Sequence, residues 1–73
     1  MLDEAHEFLR LAQLQVDRLR SHSDAQQGER ARTARLGHDA LRDARKLTHL
    51  TDDEKRRADE IEAALRAEVP NAR

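Results

Sequence analysis

The chain has 73 residues, of which 27 are apolar, but twelve of those are Ala, leaving ten Leu, two Val, one Ile, one Phe and one Met to build a core. Fourteen basic and fifteen acidic residues nearly cancel, for a net charge of −1, and there is no Cys, which excludes disulfides and thiolate metal sites. This length permits one domain, 1–73, and chains of this size bury only about 60% of their unfolded surface, so association is a common route to adequate stability.

No run approaches the roughly eighteen apolar residues of a membrane span, and Met1-Leu2-Asp3-Glu4 lacks a basic region followed by an apolar one. A cytoplasmic protein with no membrane association is therefore expected. Twelve Arg against two Lys, with abundant Ala, fits a GC-rich bacterial or phage coding sequence. Ala, Leu, Arg, Glu and Gln dominate, whereas β-branched and aromatic residues are scarce, so the fold class is all-α.

The first predicted helix covers about 2–22. Its apolar residues spread over about 240° of the helical wheel, wider than a one-sided surface helix needs. Leu2, Ala5, Leu9, Ala12, Val16 and Leu19 form one seam, while Leu11 and Leu14 lie apart from it, beside Glu7 and Arg18. One helix thus has two apolar edges.

A break follows in Ser21-His22-Ser23-Asp24-Ala25-Gln26-Gln27-Gly28. Ser23 with Gln26 reads as a capping box that starts the second helix. The alternative runs the first helix on to Gln27 and ends it at Gly28. The second helix, about 24–49, places Ala31, Ala34, Leu36, Gly37, Ala40, Leu41, Ala44 and Leu47 on one face. Gly costs up to about 1 kcal/mol in a helix interior, so Gly37 on that face predicts a close approach by a neighbouring backbone or a bulky side chain.

The third helix has the clearest start, Thr51-Asp52-Asp53-Glu54, with Thr51 as N-cap, Glu54 as its capping-box partner and further acids in the first turn. It spans about 51–69 before Pro70, and the tail 70–73 is expected to fray. Its stripe is narrow, Ala58, Ile61, Leu65 and Val69, with acid–Arg pairs Asp52/Arg56, Asp53/Arg57 and Glu62/Arg66 on the solvated surface. Such pairs support the helix without tying it to its neighbours. The expected architecture is an antiparallel helical hairpin with a third helix packed back on it, a three-helix bundle completed by dimerisation.

Signals for chemistry are weak. His6, His22, His38 and His49 lack the spacing that puts two ligands on one helical face, and even a meeting of His6 and His38 across the hairpin would supply only two ligands. The His38-Asp39 dipeptide has none of the further ligands that a metal-dependent phosphohydrolase requires. Ser21 and Ser23 beside His22 are better explained as turn and cap residues than as nucleophiles. No enzyme activity, cofactor or metal is expected.

Charge by segment is more informative. Residues 30–50 carry six basic against two acidic residues, while both flanking segments are net acidic. Arg32, Arg35, Arg42, Arg45 and Lys46 cluster away from the apolar face of the second helix, where they could track phosphates. Asp39, Asp43 and the lack of aromatics for base stacking weigh against that. The second and third helices can each be satisfied by the first, which leaves the edge around Phe8, Leu11, Leu14 and Arg18 for another chain. The expectation is a non-enzymatic protein–protein interaction module, an adaptor or regulator, that is homodimeric through the first helix and also binds another protein. A small nucleic-acid-binding dimer using the basic middle helix is the alternative.

Overall fold

The computed structural model describes residues 4–47 and 49–70. Three helices, α1 (Glu4–Ser21), α2 (Gln27–Arg45) and α3 (Asp52–Glu68), follow one another through short connections, each packed against the other two. The molecule measures 37 × 21 × 16 Å, one helix with its connections long and about two helix diameters across. Among the described residues there is no strand, and no helix is long and apolar enough to cross a membrane.

The core follows helical periodicity. Ala5, Leu9, Ala12, Val16 and Leu19 bury the inner stripe of α1, and Ala34, Gly37, Leu41 and Ala44 that of α2. Ala58, Ile61 and Leu65 close it from α3, continued by Val69. Leu2 and residues 71–73 lie outside the described residues. Because the α2 stripe is built of small residues, its backbone comes close to both neighbours. A Cβ on Gly37 would stand 2.9 Å from both Leu65 methyls and 3.3 Å from Gln15 Cβ. The approach anticipated at Gly37 is real, and its bulky occupant comes from α3.

Two boundaries differ from the sequence reading. The first connection is a turn through His22–Ala25, with Ala25 N–H donating to His22 O at 3.1 Å. Gln26 is the extended N-cap of α2, without a side-chain cap hydrogen bond. Ser23 therefore sits in the turn, since the chain needs those residues to reverse direction, and Gly28 lies in the first turn of α2 with no left-handed φ. At its other end α2 stops at Arg45, short of 49. There Lys46 and Leu47 N–H turn to the carbonyls three residues back, Asp43 and Ala44, and the last turn tightens.

The start of α3 is as expected. Glu54 N–H donates to Thr51 Oγ1 at 3.1 Å, and Thr51 N–H donates to Glu54 Oε1 at 2.9 Å. Of the three acid–Arg pairs along the helix, Glu62–Arg66 forms, at 3.8 Å. Two α3 acids also do what local pairing could not. Glu62 and Asp59 accept from Arg45 of α2 at 2.7 and 3.0 Å, which ties α3 to the hairpin more firmly than its narrow stripe implies.

A further tie was not expected from the sequence. Arg30, its side chain only 16% exposed, donates to Leu19 O at 2.9 Å, His22 O at 3.0 Å and Glu68 O at 3.3 Å. These carbonyls belong to the ends of α1 and α3, so one guanidinium satisfies orphan acceptors of both helices and places a cation at both negative dipole ends. The Glu68 carboxylate, 3.7 Å away, completes the cluster.

Candidate functional site

A three-helix bundle presents three outer grooves, one for each pair of helices. The α2/α3 groove, about 840 Å³, is lined by His38, Arg42, Arg45, Lys46, Glu62 and Arg66. The α1/α3 groove is polar as well: Gln13, Arg20, Arg57 and Glu60 line its hollow near Ile61, and His6, Asp53, Glu54 and Arg56 continue it. His6 and His38 thus lie in different grooves and do not meet. Among the described residues no three His, Cys, Asp or Glu side chains gather closely enough to hold a metal ion.

The α1/α2 groove differs in character. On α1 a second heptad-spaced stripe, Glu4, Phe8, Leu11, Gln15, Arg18 and His22, runs beside the core stripe. On α2 the matching stripe is Glu29, Thr33, Leu36, Ala40, Asp43 and Leu47. Arg18 and His22 meet Glu29 and Thr33 around one hollow of about 400 Å³, so the two stripes flank the same seam. They lie on its side away from α3, because the residues facing α3 are Gln13 and Arg20 on α1 and His38 and Arg45 on α2.

The middle of this groove is apolar. Leu11 is 47% exposed and Leu36 51%, with Phe8, Ala40 and Leu47 half-buried between and beside them, while Leu14, 42% exposed, stands on the outer side of α1, where it lines a hollow with Leu11, Arg10, Gln13, Asp17 and Arg57 of α3. Leu11, Leu14 and Leu36 are the large apolar side chains most open to solvent among the described residues. Of the residues the sequence marked on α1, Leu11 and Arg18 share the groove-facing stripe, and Phe8 packs partly against the core. Leu36, assigned by the sequence to the inner face of α2, instead belongs to this surface. It sits about 120° from the buried Leu41–Gly37 line, and the small inner stripe draws the helix in without it.

The basic face of α2 is divided. Arg45 is committed to Glu62 and Asp59, and Arg42 lies 3.6 Å from Asp39. The hydrogen bond from Arg45, reinforced by its charge, holds the Glu62 carboxyl below the usual carboxylate range, and the same bond raises Arg45. Arg32, Arg35 and Lys46 are exposed, with no carboxylate within 4.0 Å among the described residues. These cations share one outer face of α2, within about 60° on the helical wheel, and Asp39 lies among them. No family model, no curated protein and no solved structure matches the chain.

Proposed function

We propose that the protein is a non-enzymatic helical interaction module, an adaptor or regulator, that self-associates through the first helix and binds a further protein. The observation that carries this reading is the exposed apolar surface of Leu11, Leu14 and Leu36: Leu36 stands on α2 beside the α1/α2 seam, and Leu11 and Leu14 line one hollow on the outer side of α1 with Arg10, Gln13, Asp17 and Arg57. Contiguous exposed apolar surface on a small protein marks an interaction site. A two-fold dimer is the simplest way to cover it, because one patch then serves both copies.

Light scattering on size-exclusion fractions over a concentration series tests this. The mass should rise above the 8.4 kDa of one chain, and a Leu11→Glu, Leu14→Glu double variant should abolish the rise. A monomer at high micromolar concentration, or an unaffected double variant, would contradict it.

The exposed Arg32, Arg35 and Lys46 favour a second reading, a nucleic-acid-binding dimer. That reading requires affinity for an RNA or DNA duplex that falls steeply between about 50 and 200 mM salt. An apolar protein interface is nearly indifferent to the same change.

A further inference from the structure

The hollow of the α2/α3 groove, about 840 Å³, is lined by four permanent cations, Arg42, Arg45, Lys46 and Arg66, against one carboxylate, Glu62, an excess of three positive charges. In the hollows along α1, basic and acidic side chains differ by at most one. Arg45 donates to Glu62 at 2.7 Å and to Asp59 at 3.0 Å, so the one acid of the lining already has its partner. Arg66 lies 3.8 Å from the other Glu62 oxygen and Arg42 lies 3.6 Å from Asp39, both beyond hydrogen-bonding distance, with side chains 67% and 66% exposed. Lys46 is exposed, with no carboxylate within 4.0 Å among the described residues. Asp39 and Asp59 stand outside the lining, their side chains 50% and 78% exposed to water. Three cations thus border one hollow with their donors unused. His38 lines it as well, and its Nε2 is shielded from solvent with no hydrogen-bond partner among the described residues, a condition that folded proteins rarely leave standing.

We propose that this groove binds a diphosphate group, free or carried by a nucleotide, held by Arg42, Lys46 and Arg66, with His38 turning its ring to donate to a phosphate oxygen. The charge sets the class of ligand. A phosphoryl group carries about −1.5 to −2 near neutral pH, so two of them answer an excess of three, which a single carboxylate or phosphate does not. The planar forks of Arg42 and Arg66 suit pairs of phosphate oxygens, and Lys46 adds a point charge between them and the end of α2. Arg45 stays with Glu62 and Asp59, which fixes one wall of the groove and keeps α2 and α3 at a set spacing. Apart from His38 no aromatic side chain lines the hollow, so the structure offers a nucleoside base nothing to stack on. The site is independent of the interaction-module reading, because Leu11, Leu14 and Leu36 all lie outside this groove.

Titration of the ¹⁵N-labelled chain with inorganic pyrophosphate, in a low-salt buffer free of phosphate, tests the site. The His38 ring signals and the amides of Arg42, Lys46 and Arg66 should move together and saturate below about 1 mM. Orthophosphate should bind at least about tenfold more weakly. An Arg42→Gln, Arg66→Gln double variant, altered at two exposed positions, should weaken pyrophosphate about tenfold, whereas Arg32→Gln with Arg35→Gln on the outer face of α2 should leave it within about twofold. ADP separates the two sources: shifts at the same residues with at least equal affinity assign a nucleotide-borne diphosphate, and failure of ADP where pyrophosphate binds assigns the free one. Shifts that do not saturate by about 10 mM, a His38 ring that stays in place, equal affinity for orthophosphate, or equal weakening by the two double variants would overturn the proposal.

Discussion

Gly37 and Leu65 fit as notch and knob: the missing side chain of one residue is the space filled by the methyls of the other, with 2.9 Å from each methyl to the position a Cβ would take. Leu65 is fully buried, and Gln15 Cβ closes the other side of the notch at 3.3 Å, so neither neighbour has room to yield. Gly37→Leu should cost about 1–3 kcal/mol through overpacking, although Leu is the better helix former. Thermal denaturation reads this directly. The same substitution combined with Leu65→Ala should cost less than the sum of the two, a coupling that vanishes if the two sites are independent.

Arg30 holds two helix ends at once, so its loss should be felt beyond its own helix. Arg30→Met keeps much of the packing and removes the donors to Leu19 O, His22 O and Glu68 O. Hydrogen bonds from a charged donor contribute about 1.5–3 kcal/mol each when the acceptor is otherwise shielded, and these acceptors are partly solvated, so a total near 2 kcal/mol is expected. Lys should rescue little, because one ammonium cannot span carbonyls that the planar fork reaches from two nitrogens. Urea titration of the three proteins checks the order wild type, Lys, Met.

The capping box at Thr51 should be separable from tertiary packing. Thr51→Ala removes the acceptor for Glu54 N–H and should cost about 1 kcal/mol, while Thr51→Ser should be close to neutral. Equal losses in both variants would mean that the Thr51 methyl, not its hydroxyl, is what matters.

The Arg45–Glu62 pair links α2 to α3 and makes part of the stability depend on pH. Because the Glu62 carboxyl is held below its ordinary range in the folded chain, chiefly by the Arg45 hydrogen bond, its contribution is complete above the ordinary carboxylate pKa. It is lost as pH falls through the lower, folded value. The stability difference between wild type and Glu62→Gln should be constant from about pH 7 to pH 5, at no more than about 1 kcal/mol for so accessible a pair, and should shrink below about pH 4. A difference that grew on acidification would contradict the direction of the shift.

Where sequence and structure agree, a single local rule decides the outcome. The seams of α1 and α3 are legible because each apolar residue recurs at three or four positions, and Thr51 with Glu54 is legible because a capping box is complete within four residues. Gly37 was readable from its cost in a helix, though its partner was not, since nothing local says whether Gln15 or Leu65 stands opposite. Leu36 was misplaced because a wheel with Ala and Gly on the inner face leaves the true centre of that face poorly defined. Arg30 was missed for a different reason. A buried Arg bonded to carbonyls 8, 11 and 38 residues away leaves no sequence pattern; the one available hint was a cation close to the end of the preceding helix.

Association through the α1/α2 groove is most directly tested by amide chemical shifts in ¹H–¹⁵N spectra recorded from about 10 µM to 1 mM. If the account is right, Leu11, Leu14, Arg18, Leu36 and Ala40 shift progressively with concentration, while Asp53 and Glu60 in the polar α1/α3 groove stay in place. Shifts confined to α3, or spectra that superimpose over the whole range, would contradict it.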